Sequence, residues 1–496
     1  MSRGAEAVAA ARVWPVAVVG AGPAGLSAAV TAADHGIDVL LVDAGGAPGG
    51  QYWRQPGDVV PGGRDPDGRE TRPHAEHGGR RLTTLWDALQ RHRDSGRLTL
   101  LSRTQVWQAV AEDGVFALGL TPSPGSPPGP ARVRAERLVL CPGGADRQLP
   151  LPGWDLPGVM AAGGVQSLLK GSGTLAGRRV VVAGTGPFLL PVATGLARAG
   201  AEVRAVCEAG RPVGWARDLA AVAGVPSKLV EGAGLAAAMV RHRIPYRTRT
   251  VVRRAVGTEE LEAVELVRLG RDGRPGERVE RVEADLLAVG WGFTPALELG
   301  LQLGAATRVD VDTSLVLEVD ERQRTDVPGV WVAGEACGVG GSVLSDLEGR
   351  VAGAAAAEDA GAPPRAGTPA RAIGRHRRFA RSMHRNHPVP EHWADWLTDD
   401  TLLCRCEEVE VGRLREARDE LGASDARAVK QVTRIGMGWC QGRVCGFAAA
   451  CLTAGLEGRE VAERDLRALG SRPLAVPVTL AELASLPTGP GQPPQA

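Results

Sequence analysis

The sequence has almost no net charge and almost no lysine. Among its 496 residues, 58 basic side chains stand against 57 acidic ones, a formal net charge of +1, so no global field draws the chain to nucleic acid or to a membrane surface. Lys170, Lys228 and Lys430 are its lysines; arginine supplies the remaining positive charge, a compositional bias that argues for no function. No uncharged apolar stretch reaches the roughly 18 residues that span a bilayer. The opening MSRGAEAVAAARVWPVAVVG lacks the apolar core and cleavage site of a secretory signal, and a cytoplasmic protein is expected. Eight cysteines, half of them bunched in one pattern, do not make a secreted disulfide framework. Cys141, Cys207, Cys337 and Cys451 read as reduced structural thiols. The length suggests about three domains, and an apolar content of 44% is enough for more than one core.

The other four cysteines carry chemistry. Cys404 and Cys406 form a CxC, and Cys440 and Cys445 a CxxxxC, with residues 407 to 439 between them. In extended backbone residues i and i+2 face one side, so Cys404 and Cys406 can offer both sulfurs to one metal, while Gly442 lets the second pair bend around another. Two pairs suit two irons. Zinc also takes four thiolates, but usually from CxxC knuckles. Arg405, Arg434 and Arg443 lie near the ligands in sequence; they would raise a cluster's potential if they approached the sulfurs, and are solvated surface arginines otherwise.

Two glycine fingerprints precede the cysteines. In VAVVGAGPAGLSAAV, Gly20, Gly22 and Gly25 follow four apolar residues and open an alanine-rich helix, and Asp43 closes the next strand. The first glycine makes the turn, the second admits a pyrophosphate, the third lets helix and strand pack, and the acid accepts ribose hydroxyls. The second fingerprint, VVVAGTGPFLLPVA, has Gly184 and Gly186 and the acid Glu208, but its third position is Leu189, with Pro191 shortly after. Leucine there pushes helix and strand apart or fills the approach path. Two readings remain: an adenine nucleotide bound against Glu208, or a Rossmann unit kept for structure alone.

Three further segments place the chain in a family: Gly49, Gly50 and Gln51 in PGGQYWR; LVLCPGGADRQLPLPGWDLPGVM; and VPGVWVAGEACGVGGSVLSDLEGRVAG. Together they resemble the two-dinucleotide-domain flavoproteins, the thioredoxin and glutathione reductases. That resemblance implies FAD at Gly20, Gly22, Gly25, Asp43, Gly50, Gln51, Gly334 and Glu335, with Glu335 in place of the commoner aspartate. The residues agree, since a strand ending in Gly334 and Glu335 and a turn into a helix put a carboxylate and a helix N-terminus at one sheet edge. A redox-active CxxC is missing, so disulfide reduction is not expected. LPLPGWDLPGVMAAGGVQSLLK, the fingerprint without its third glycine, GEACGVGG, LCRCEEV and GMGWCQGRVCG together resemble, over nearly the whole chain, the alpha subunits of bacterial heteromeric FAD-dependent amine and amino-acid dehydrogenases. That resemblance implies a [2Fe-2S] cluster of the bacterioferritin-associated-ferredoxin type on Cys404, Cys406, Cys440 and Cys445. It also implies a flavoprotein beta subunit, similar to glycine or D-amino-acid oxidases, that oxidises the substrate, and a small ferredoxin-like partner.

The expected fold is α/β, with two nested Rossmann-like dinucleotide-binding domains and a small helical C-terminal iron-sulfur domain. FAD-binding sequence covers 12–155 and 284–360, the second Rossmann domain 156–283, a linker and basic connector 361–400, the cluster domain 401–465 and a tail 466–496. The connector, RAIGRHRRFARSMHR, is read either as a helix that docks another subunit or as a solvated link. DVVPGGRDPDGRE and TPSPGSPPGP read as surface loops, and the chain past Leu486 as disordered. No general base stands out, so no catalytic residue is assigned; Gln51 and Trp53 either line the flavin or pack. The expected function is electron transfer within a heteromeric amine, imino-acid or opine dehydrogenase, and the alternative is a self-sufficient NAD(P)H-dependent ferredoxin-type reductase.

Overall fold

The computed structural model describes residues 12–56, 73, 78–211, 214–215, 218–365, 367, 369–472 and 474–484. The DVVPGGRDPDGRE loop and the chain past Leu486 lie outside these residues. Two parallel five-stranded sheets dominate. The first runs in the order Val330–Val332, Leu138–Leu140, Val16–Val19, Val39–Val42 and Leu98–Leu101. The second runs Val159–Ala161, Leu286–Gly290, Arg179–Gly184, Glu202–Glu208 and Tyr246–Thr248. Val330–Val332 comes after the whole second sheet in sequence yet pairs with Leu138–Leu140, so one Rossmann unit is inserted into the other. Strands such as Val16–Val19 and Val39–Val42 are buried along their full length, which is why they read as unbroken apolar runs rather than alternating ones.

Helices cover the first sheet at unusually short range. The fingerprint helix Pro23–Asp34 packs on the helix Ser342–Asp359. A Cβ on Gly349 would come 2.0 Å from the Ala24 carbonyl oxygen, and one on Gly353 2.3 Å from that of Ala28. The glycines of SDLEGRVAG thus let two backbones meet and hold the segment after Gly334 against the first fingerprint helix. Each Rossmann unit also carries a smaller, mainly antiparallel sheet, the larger built from Val13–Trp14, which pairs in parallel with Arg132–Ala135, and from Val115–Pro122 and Thr104–Glu112, which are antiparallel.

The C-terminal domain is small and mainly helical, as expected. A two-stranded ladder, Leu402–Cys404 with Val409–Glu410, leads into helices Val411–Asp419, Ala426–Thr433, Gly446–Leu456 and Glu463–Gly470. Asp425 caps the second of these, accepting from the backbone N–H groups of Arg427 and Ala428. The domain is docked on the Rossmann core. Trp154 Nε1 donates to the Leu402 carbonyl at 2.6 Å, Arg443 and Arg472 both pair with the buried Glu298, and the buried Arg147 guanidinium lies 4.2 Å from the Phe447 ring centroid.

The basic connector forms a helix, Ala370–Asn386, that lies against the chain itself. Its inner edge sends Arg377 to Glu348 at 2.8 Å and His384 Nε2 to the Val339 carbonyl at 2.8 Å. Arg371, Arg375, Arg378, Arg381 and Arg385 remain exposed. Among the described residues no helix is long and apolar enough to cross a membrane.

Candidate functional site

The first fingerprint builds a backbone-lined cleft. At Gly25 a Cβ would sit 1.7 Å from the Gly20 carbonyl oxygen, so helix and strand touch there. At Gly22 the nearest atom would be the Gly50 Cα at 3.9 Å, and a Cβ on Gly50 would come 2.8 Å from the Gly22 Cα, so the two glycine backbones meet beside the turn. Gly49 N–H donates to the Ala21 carbonyl at 2.8 Å and fixes the PGGQ segment over the loop. The helix begins at Pro23 with Gly22 at its N-cap and no side-chain cap, so its first amides are left to an anion. Asp43 accepts from Ala21 N–H at 2.8 Å and Gly45 N–H at 3.0 Å. Burial raises its pKa against those two bonds, and one lone pair on each oxygen is left for a hydroxyl donor.

Glu335 closes the other end of the cleft. Its Oε1 accepts from Gly341 N–H at 3.1 Å, while Oε2 is buried without a partner among the described residues. Burial pushes its pKa up to about 7, opposed by the amides of Gly341 and Gly340. A buried acceptor with nothing to accept is what a bound polyol such as a ribityl chain would satisfy, so the residues fit FAD. The folded apoprotein therefore holds a proton that the unfolded chain has released between about pH 4.5 and about pH 7, and its stability falls as pH rises through that window. Glu335→Gln is expected to remove this fall, read by denaturant unfolding of apoprotein at pH 5 and pH 8. It should also weaken FAD binding roughly ten- to a hundredfold, the worth of one hydrogen bond to a charged group.

The four cysteines of the CxC and CxxxxC motifs converge. Cys404 Sγ lies 3.8 Å from Cys406 Sγ, and Cys406 Sγ 3.6 Å from Cys440 Sγ; the Cys445 thiol hydrogen-bonds Cys404. With metal–sulfur bonds of about 2.3 Å, two thiolates on one tetrahedral ion stand about 3.8 Å apart, so these separations are compatible with a shared ion. Among the described residues no group of three or more Cys, His, Asp or Glu side chains is placed to hold a single ion. Cys404 is held below the ordinary thiol range by Cys445, helped by the amides of Gly436 and Glu407. Such backbone donors stabilise a thiolate. Cys404 and Cys445 are buried, Cys406 and Cys440 half-exposed, and Trp439 beside Cys440 is 78% exposed. Arg434 is held by Glu407 at 2.9 Å, Arg443 by Glu298 at 2.9 Å, and Arg405 lies over Trp154 at 5.2 Å.

In the second unit Gly184, Gly186 and Glu208 come together as the motif requires. Glu208 is buried and accepts from Thr185 Oγ1 at 2.9 Å, Gly186 N–H at 2.9 Å and Gly210 N–H at 2.7 Å. Leu189 is accommodated by delaying the helix. Helix Leu189–Arg198 starts five residues after Gly184, where Pro23–Asp34 starts three after Gly20. A tight turn fills the gap, with Leu190 N–H bonded to the Pro187 carbonyl at 3.2 Å.

Gln51 Oε1 accepts from Arg54 Nη1 at 2.7 Å and Ser167 Oγ at 3.0 Å. Trp53 is buried in the core beneath the first sheet; it packs. Cys141, Cys207, Cys337 and Cys451 form no disulfide, and burial raises all four thiols, Cys207 and Cys451 to about 12. Sequence reasoning passed over Glu348, whose carboxylate accepts from Gly334 N–H at 3.0 Å and pairs with Arg377 under the Gly334–Glu335 turn. Its one sequence signal is an acid inside the apolar helix that follows GEACGVGG.

Residues 14–361 match the family described as pyridine nucleotide-disulphide oxidoreductase. The chain is 32% identical over 488 residues to one of the opine oxidase subunits of Rhizobium meliloti, covering 96% of this chain and 99% of that one. It is 31% identical over 441 residues to the HcnB subunit of hydrogen cyanide synthase from Pseudomonas aeruginosa, covering 86% and 90%. Its fold superposes on L-proline dehydrogenase from P. horikoshii with a TM-score of 0.63 and 19% identity, over 95% of this chain and 79% of that one.

Proposed function

Because the chain belongs to the pyridine nucleotide-disulphide oxidoreductase family and is an FAD-dependent oxidoreductase, we propose that it is the electron-transfer subunit of a heteromeric dehydrogenase or oxidase acting on amines, imino acids or opines. The observation that carries this reading is the convergence of the CxC and CxxxxC thiols, with Cys406 Sγ 3.8 Å from Cys404 Sγ and 3.6 Å from Cys440 Sγ, in a domain docked on the flavin unit. FAD would supply the two-electron couple and a [2Fe-2S] cluster the one-electron couple. Gly20, Gly22, Gly25 and Gly50 give FAD its backbone bed, Asp43 and Glu335 accept its hydroxyls, and Gln51 and Gly334 border it. The uncapped start of the helix Ser342–Asp359 faces negative charge favourably. Cys404, Cys406, Cys440 and Cys445 hold the irons, with the half-exposed Cys406 and Cys440 on the side open to an acceptor.

The relatives are named as subunits, and the partners proposed for this chain are a flavoprotein subunit similar to glycine or D-amino-acid oxidases and a small ferredoxin-like protein. The purified chain is expected to be yellow-brown, with one FAD and about two irons per monomer; stoichiometric zinc without labile sulfide would overturn the cluster. In anaerobic stopped-flow, neither NADH nor NADPH is expected to bleach the flavin band, because Leu189 and Pro191 displace the helix start of the second unit. Bleaching by an amine donor in the presence of the partner supports the subunit reading. Rapid bleaching by either pyridine nucleotide would replace it with that of an NAD(P)H-dependent reductase.

A further inference from the structure

The two Rossmann units allow an internal comparison. Asp43 and Glu208 close the same strand of the motif, and each accepts from its own fingerprint loop and from the amide two residues on, Gly45 or Gly210. There the likeness ends. Glu208 Oε1 also accepts from Thr185 Oγ1 at 2.9 Å, and its Oε2 faces His387 Nδ1 at 3.4 Å. His387 follows the connector helix directly. Trp215 Nε1 donates to its Nε2 at 3.1 Å, and its Nδ1 is buried without a hydrogen-bond partner among the described residues. The His387 side chain is 7% exposed and that of Glu208 1%.

The residues around this pair are anchored to the connector as well. Ser382 Oγ donates to Asp218 Oδ2 at 2.7 Å, and Asn386 Nδ2 reaches the same oxygen at 3.4 Å. The Trp215 ring lies 5.5 Å from Phe379 and 5.9 Å from His387, centroid to centroid. A Cβ on Gly210 would come 3.2 Å from the Asn386 carbonyl oxygen, and one on Gly214 2.0 Å from Asn386 Oδ1. The residues just after the acid, which border the adenosine in a dinucleotide fold, are in contact with the end of the helix.

We propose that the adenosine position of the second Rossmann unit is filled by the chain's own connector, Asn386 and His387, and that this unit therefore binds no adenine nucleotide. Glu208 serves as the receptor for His387. A ribose diol would need two acceptor positions on this carboxylate, and three donors and an imidazole already surround it. The second unit becomes a clamp for a helix whose other contacts, Arg377 with Glu348 and His384 with Val339, reach the loop of the FAD motif. This inference goes beyond the electron-transfer reading and does not depend on it.

Isothermal titration of the flavin-loaded protein with ADP tests it, and reads nucleotide binding rather than electron transfer, so its outcome is separate from the flavin and iron assays. The native protein should show no binding at millimolar ADP. The double variant Asn386→Ala, His387→Ala should bind ADP at least about tenfold more tightly, since a plug lowers apparent affinity by the fraction of molecules in which it is withdrawn. Where that variant loses its flavin absorbance, His387→Gln replaces it. Submillimolar ADP binding by the native protein would overturn the proposal, and so would a folded variant that still fails to bind.

Discussion

Gly25→Ala should strip the protein of its flavin. The added Cβ would lie 1.7 Å from the Gly20 carbonyl oxygen and 2.8 Å from its carbon, and both are backbone atoms of the fingerprint turn that no rotamer change can move. Overpacking of a core ordinarily costs about 1–3 kcal/mol; with backbone on both sides the upper end or beyond is expected, which corresponds to FAD held at least about a hundredfold less tightly. Equilibrium dialysis or flavin fluorescence of the purified variant reads this directly. Gly195→Ala is the control. Gly195 lies inside the helix Leu189–Arg198, and its nearest contact would be Leu169 Cδ2 at 3.8 Å, so alanine there should add roughly 0.5–1 kcal/mol of stability. A Gly25→Ala protein that keeps stoichiometric FAD would refute the assignment of the cleft.

Replacing Cys440 or Cys445 by alanine should take the iron content from about two to none while leaving the flavin in place. A binuclear cluster needs all four thiolates, and these four belong to one loop system in the C-terminal domain, whereas the flavin cleft is built from Gly20, Gly22, Gly50 and Glu335 in another. Iron analysis and the visible spectrum measure both cofactors on one sample. Cys451→Ala is the control, because Cys451 sits on the helix Gly446–Leu456 and burial keeps it a thiol, pushed up to about 12. Flavin lost together with iron would mean that the domains do not hold their cofactors independently.

The sequence made the flavin cleft legible because its determinants are local. A turn, a close approach and a strand-end acid each follow from a glycine or carboxylate at fixed spacing, and Gly20, Gly22, Gly25 and Asp43 lie within one strand-helix-strand unit. The thiols were legible for the same reason, as two short pairs. What escaped is long-range. Nothing near Glu208 in sequence announces His387, and nothing near Glu348 announces Arg377. An arginine-rich segment reads as solvated, and for Arg371, Arg375, Arg378, Arg381 and Arg385 it is; the helix is pinned instead by the residues between them. The Leu189 exception was visible, but the physical answer to it, a helix that starts late rather than one pushed off its strand, required the backbone.

The chain past residue 470 has a bearing on solubility. Thr104–Glu112 is the outer strand of its four-stranded sheet, and an open strand edge is a template for pairing with other molecules. Here Gln302 stands in for a neighbouring strand: its Oε1 accepts from Ala109 N–H at 2.9 Å and its Nε2 donates to the Trp107 carbonyl at 3.3 Å. Ala475 N–H adds a second bond to that carbonyl at 2.7 Å, and Glu482 accepts from Thr121 Oγ1 at 2.7 Å on the next strand. These last elements leave the ribosome after everything they cover. Until they arrive, a nascent flavoprotein domain carries a partly bare edge, and a chain cut short before Ala475 keeps it, which makes residues 475–482 a guard against self-association.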